Sequence, residues 1–166
     1  MHICIDDWVF AVDMTTTMAY SAGEAEEHCS CAYCRNFYTA IDSVYPQLRP
    51  FLTRFGLDVE APDALIPYEP PTQQVAYYGV AGKILQIGSK PLSAGKLLIY
   101  PETAEVAQVN TFLSEPHFFL RTDMMQLLWV LDEPMEDVIS PANEPSFLKS
   151  SIDKFRSIFG KSGIET

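Results

Sequence analysis

Phe37, Ile41, Val44, Leu48, Phe51 (or Leu52) and Phe55 recur at intervals of three and four, the spacing of one apolar helical face. Pro46 and Pro50 interrupt that face, since each lacks the backbone donor a helix interior needs. The pattern therefore predicts two helices, or one kinked helix. The first helix covers about 32–44. The second starts with Pro46 in its first turn and stops at Gly56, a residue suited to a left-handed cap. Before the pair, Ile3-Cys4-Ile5 and Trp8-Val9-Phe10-Ala11-Val12 predict a first strand over 3–14. Its alternation is poor, so it is either buried on both faces or broken by a bulge. Residues 15–31 have no apolar period and read as a polar connection.

Pro62, Pro67, Pro70 and Pro71 make 58–72 an extended crossing loop. Strand-like runs follow at 75–87, 96–100, 106–113, 118–122 and 127–131, punctuated by Gly79, Gly82, Gly88 and Gly95. Residues 105–112 also fit a short helix. Pro134, Pro141 and Pro145 mark a second irregular connection. A last helix is expected over 146–159, with Leu148, Ile152, Phe155 and Phe159 on one face and Gly160 at its end. It is basic (Lys149, Lys154, Arg156 and Lys161 against Asp153), and its apolar stripe predicts packing against its own body. Strands bracketed by helices imply an α+β fold: a mainly antiparallel sheet of five or six strands, a helix pair after the first strand and a C-terminal helix. The same order occurs in helix-grip folds, in which a curved sheet wraps a helix around a cavity. The length of 166 residues fits a single globular domain over 1–166.

Composition narrows the functional classes. Hydrophobic residues at 48% suffice for a core without metals or disulfides. The net charge of -11 disfavours phosphate backbones and anionic membranes, because no basic stripe runs through the body. Nucleic-acid and membrane partners are therefore not expected; a protein or small-molecule partner is. The start, Met1-His2-Ile3-Cys4-Ile5-Asp6-Asp7, lacks the basic head and apolar run of a secretory signal. No run approaches the length of a membrane span. A cytoplasmic setting follows, in which thiols stay reduced and a stable structural disulfide is not expected.

Against that background one segment is chemically dense: His28-Cys29-Ser30-Cys31-Ala32-Tyr33-Cys34-Arg35-Asn36-Phe37. Three readings stand side by side. In the first, Cys29, Cys31 and Cys34, with His28, hold a structural zinc, since C-x-x-C spacing lets two sulfurs grip one ion. Cys29 or His28 adds the third ligand to Cys31 and Cys34, and Cys4, His2 and His117 are the candidates for the fourth. In the second, Cys31 and Cys34 are a redox dithiol, because a helix N-terminus and the neighbouring Arg35 both favour thiolate. In the third, the cysteines are reduced and simply pack as small hydrophobes. Arg35 and Asn36 would either hold an anion at the helix start or tie the cysteine loop to the backbone.

Other features carry less. Asp132, Glu133, Glu136 and Asp137 put four acids in a proline-bounded loop, without the spacing of a calcium loop. Asp6 and Asp7 read as a charged strand edge. Met14, Met18, Met124, Met125 and Met135 would line an adaptable apolar pocket in a small-ligand carrier. No phosphate-loop, dinucleotide or nucleophile-elbow motif occurs.

Cys29-x-Cys31-x-x-Cys34-Arg35-Asn36-Phe37, then Phe51-Leu52-x-x-Phe55-Gly56-Leu57-Asp58, Tyr78-Gly79-x-x-Gly82 and Trp129-Val130-Leu131-Asp132-Glu133-Pro134, resemble a loosely defined family of small, acidic, uncharacterised bacterial proteins. The likeness covers about residues 3–134. It implies a bacterial, cytosolic context and no mechanism. The expectation is a non-enzymatic binding or interaction domain, with a structural zinc at the cysteine cluster. The alternatives are a thiol-disulfide redox protein using Cys31 and Cys34, and a carrier of small apolar ligands.

Overall fold

A computed structural model describes residues 1–26, 29–68 and 72–133. Where one first strand is expected, the chain makes a hairpin of β1 (His2–Ile5) and β2 (Trp8–Val12). The reversal falls at Asp6, whose φ of 52° is left-handed, a conformation that Asp tolerates better than most residues. Asp7 fixes the turn from outside: its Oδ2 accepts the Ser89 amide at 2.7 Å. The two acids, exposed at the end of the edge strand β1, thus form a turn and its clamp.

The polar connection is replaced by a helix, α1 (Met14–Glu26). Asp13 caps it, accepting the Thr16 amide at 3.0 Å and the Thr16 hydroxyl at 2.8 Å. The face it buries consists of hydroxyls: Thr17 and Ser21 are buried one turn apart. Thr17 Oγ1 donates to Asp13 O and accepts the Ala81 amide; Ser21 Oγ accepts the Asp58 amide. Polar side chains satisfied in this way leave no hydrophobic period.

The expected helix pair follows as α2 (Ala32–Val44) and α3 (Leu48–Thr53). The break comes at Tyr45-Pro46, and Pro50, not Pro46, occupies the first turn of the second helix, where its missing donor is harmless. Gly56, at φ 81°, turns the chain away after α3 beside Met14 and Met18 of α1.

The remaining elements are β3 (Ala64–Tyr68), the long β4 (Gln73–Gln86), β5 (Leu92–Ala94), β6 (Leu97–Thr103), a single turn α4 (Ala104–Ala107), β7 (His117–Thr122) and the two-residue β8 (Met125–Gln126). The sheet runs β1-β2-β4-β7-β6-β5, with β3 and β8 also on β4, and every pairing is antiparallel. The α+β class and antiparallel sheet agree with expectation. The count of five or six strands does not: eight strands and four helices lie among the described residues. The hairpin adds one strand. The proline-rich crossing contains β3, whose Pro67 is tolerated because β3 bonds only to β4. The three-residue β5 was too short to register. The run at 106–113 is not a strand: α4 ends at Gln108 with φ 52°, and irregular chain follows.

One sheet face carries Phe10, Tyr78, Val80, Phe118, Leu120, Leu92 and Ile99. These cluster with Phe37 and Ile41 of α2, and with Leu48, Leu52 and Phe55 of α3 and the turn after it. Phe10 stands at the centre, 5.3 Å from the rings of both Phe55 and Phe118. Truncating it to alanine is expected to cost about 3–5 kcal/mol. The buried Tyr78 hydroxyl donates to Val59 O at 2.8 Å, so its burial leaves no orphan donor.

The chain divides into two compact units, Met1–Val130 and Leu131–Thr166, and every element above belongs to the first. The expected C-terminal helix at 146–159 lies outside the described residues, as do Met135, Glu136 and Asp137. The helix-grip order and the single domain over 1–166 both depend on that region. No helix among the described residues is long and apolar enough to cross a membrane.

Candidate metal centre

Cys31 is the N-cap residue of α2, with extended backbone (φ -66°, ψ 156°), and its carbonyl accepts the Arg35 amide at 3.0 Å. A helix start of this kind leaves first-turn amides without carbonyl partners. Cys34 follows on that first turn and is buried; Cys29 precedes it on irregular chain and is half-buried. The local sequence thus brings three sulfurs together without long-range help. The Sγ atoms of Cys29, Cys31 and Cys34 all lie within 4.8 Å of one another, and all four cysteines of the chain are free thiols.

The three sulfurs do not share protons equally. The Cys34 thiol, donating to Cys31, is the main reason that Cys31 falls to about 5; the amides of Cys34 and Tyr33 and the thiol of Cys29 act in the same sense against burial. Cys34 is pushed well up, first by its bond to Cys31 and then by burial. Burial also raises Cys29. Cys31 is therefore the sulfur of the three that ionises first, with the thiols of Cys34 and Cys29 beside it. Tyr38, one turn beyond Cys34, adds a hydroxyl hydrogen-bonded to that thiol. Burial and the neighbouring Cys34 hold its phenol above the ordinary range, so it keeps its proton.

The cluster's surroundings are pinned by Asn36, which is fully buried. Its Nδ2 donates to Leu128 O at 3.1 Å and its Oδ1 accepts the Val130 amide at 2.8 Å. Asn36 thus serves the extended chain after β8 as a strand neighbour would. It ties down that segment, where a strand over 127–131 was expected, and not the cysteine loop. Trp129 on the same segment meets Tyr33 edge to face, with centroids 6.1 Å apart. Arg35, one of the two candidates for an anion site or a tie to the cysteine loop, is exposed on the first turn of α2. His28 lies outside the described residues. Cys4, His2 and His117 do not join the cluster. His117 is on the sheet face opposite the core, 5.5 Å from the Phe119 ring, with Nδ1 3.5 Å from a Glu115 oxygen. Sequence reasoning missed Tyr38 and the clasp by Asn36. The first was visible as the residue four after Cys34, the spacing of helical neighbours.

A second polar cluster lies across the sheet. Asp63 Oδ1 accepts the Tyr20 hydroxyl and Oδ2 accepts the Gly79 amide, both at 2.6 Å. Thr111 Oγ1 bonds the Tyr20 oxygen at 3.0 Å and accepts the Leu113 amide. These contacts bind α1, the start of β3, β4 and the chain after α4. No sequence motif announced them. The methionines, which the sequence offered as pocket lining or as core filler, are dispersed: Met125 is in the core, Met14 half-buried against it, and Met18 and Met124 exposed. An open cleft of about 570 Å³ is lined instead by mixed residues, including His2, Asp13, Lys83 and Pro116.

The fold and cluster define a class: an antiparallel α+β protein with three thiols close enough to hold one metal ion. Compared with protein-family models, curated proteins and solved structures, the chain has no match.

Proposed function

We propose that this chain is a non-enzymatic binding protein in which Cys29, Cys31 and Cys34 hold one zinc ion that fixes the start of α2. The observation that carries the reading is the mutual approach of three Sγ atoms within 4.8 Å. Zinc thiolates at about 2.3 Å in a tetrahedron stand about 3.8 Å apart, so a small contraction suffices. The ionised Cys31 offers a first ligand without proton loss; zinc would displace protons from the other two. His28, beside Cys29 in the sequence and outside the described residues, is a further ligand in this reading. A reducing, cytoplasmic setting belongs with it, and so does a protein or small-molecule partner.

A thiol-disulfide enzyme is the second reading, favoured by the low pKa of Cys31 beside Cys34. Elemental analysis of protein purified under reducing conditions separates the two. About one zinc per chain, absent from Cys31→Ser and from Cys29→Ser, supports the metal reading. The Cys29 variant discriminates because a Cys31–Cys34 enzyme does not need that thiol. Protein that takes up no zinc on reconstitution overturns the metal reading. Cys34 belongs to the same buried core as Phe10, with Cys29 and Cys31 packed against it, but no strand of the sheet passes through the cluster. A chelator is therefore expected to loosen residues 29–35, seen as faster amide exchange, while the sheet stays protected.

A further inference from the structure

The cluster holds more sulfur than a disulfide needs, and the three sulfurs are differently mounted. Cys31 and Cys34 sit at the cap and in the first turn of the same helix; they hydrogen-bond to each other, and each also to Cys29. The bond from the Arg35 amide to Cys31 O fixes the turn between them. Cys29 stands outside the helix on irregular chain, with only part of its surface covered. Helical neighbours three apart bring their Cβ atoms to about 5–6 Å, and the extended backbone at the cap lets Cys31 close the rest of the distance to disulfide geometry.

We infer that the site is oxidised in one defined way: a hydroperoxide closes a Cys31–Cys34 disulfide, which removes two of the three sulfur ligands and releases the ion. The loss of the ion rests on the metal reading above; the choice of sulfurs does not. The chemistry balances in two steps. The Cys31 sulfur attacks one peroxide oxygen. An S–O bond forms, the O–O bond breaks, and hydroxide leaves to take up a proton as water. Cys34 Sγ then attacks Cys31 Sγ. The S–S bond forms, the S–O bond breaks, and hydroxide leaves as a second water, taking the Cys34 proton in the metal-free cluster or a solvent proton where zinc has displaced it. Two electrons pass from the dithiol to the peroxide. Cys29 remains a thiol, and a site that has lost two of its three sulfurs no longer retains the ion. Thiol reductants reverse the change.

The test uses the full chain, reduced and reconstituted with zinc, then treated with one equivalent of hydrogen peroxide. Free zinc is read with a chromophoric chelator, and the disulfide is mapped by mass spectrometry after alkylation without reduction. The expected result is one zinc released per disulfide, a Cys31–Cys34 bridge, alkylated Cys4 and Cys29, and recovery with dithiothreitol. Cys29→Ser still forms the bridge. Cys34→Ser stops at a sulfenic acid on Cys31, trapped by a dimedone probe. A bridge through Cys29, or oxidation that leaves zinc in place, overturns the inference. Protein that takes up no zinc before oxidation sinks the metal reading alone, and the map on metal-free protein still decides the choice of sulfurs. A Cys31–Cys34 bridge then supports that choice, and any other product overturns it.

Discussion

Asp63 and Cys31 are both acids set among hydrogen-bond donors at the margin of the core, and their donors differ in kind. Asp63 is held by the Tyr20 hydroxyl and the Gly79 amide. Neither gives up its proton: an amide does not titrate, and burial and the Asp63 bond push the Tyr20 phenol above its ordinary range. Cys31 is held first by the Cys34 thiol, then by the Cys34 amide and the Cys29 thiol, and a thiophilic ion displaces the protons of those thiols. The first cluster is closed, and its use is to join α1, β3, β4 and the chain around Thr111. The second is satisfied only provisionally. Burial and hydrogen bonding alone would not separate the two; the exchangeability of the donors does.

The largest test of that difference is the loss of a sulfur. Cys29→Ser and Cys31→Ser are expected to bring bound zinc from about one per chain to none, while Cys4→Ser, on exposed β1, leaves it unchanged. Replacing Asp63 leaves zinc content untouched. Tyr38→Phe comes next. Removing a hydrogen bond to a ligating sulfur typically lowers metal affinity about 10–100-fold, read here by competition with a chromophoric chelator. An unchanged affinity would show that the Tyr38 hydroxyl serves the metal-free cluster only.

Asn36→Ala sharpens the comparison from the structural side. Leu128 O and Val130 N–H lose their partner, at a cost of about 2 kcal/mol in urea unfolding. Amide exchange at Val130 should accelerate, while zinc content stays near that of the parent protein. Zinc loss in this variant would make the segment carrying Trp129 part of the site.

What could be read from the sequence followed from how each element earns its stability. Helix α2 and the sulfur cluster were visible because both rest on local spacing: the apolar period from Phe37, and C-x-C-x-x-C at a helix start. Strands β4, β6 and β7 showed as apolar runs. Helix α1 did not, because Thr17 and Ser21 bury hydroxyls where the period would require apolar groups. The hairpin was hidden by an Asp-Asp turn in place of the usual Asn-Gly. β5 and β8 exist only through partners already in the sheet. The Asp63 cluster was invisible for a similar reason: Tyr20 is 43 residues away from Asp63, and Thr111 is 91 from Tyr20. Contacts of that range leave no pattern in a single chain.

The smallest effect expected is the pH dependence carried by Asp63. Burial raises its pKa above the unfolded value against the pull of its hydrogen bonds. The folded state therefore holds this proton more tightly than the unfolded state does. Its contribution to stability is full below the unfolded pKa and is lost as pH rises through the folded one. Asp7 and Asp13 behave oppositely. Hydrogen bonds from Ser89 and Thr16 lower them, so their contribution is lost as pH falls through their folded values. Asp63→Asn keeps one acceptor but turns an amide donor on Tyr20 or Gly79, costing about 1 kcal/mol at neutral pH. Because the parent alone gains from protonation, the gap between parent and variant should widen in acid, measured by urea unfolding from pH 3 to 7. A gap that instead grows toward neutral pH would mean that the ionised carboxylate is what the fold prefers. Asp63 would then be a charge held in place by the fold, which is the role that sets Cys31 apart, and the contrast between the two clusters would fail at its closed end.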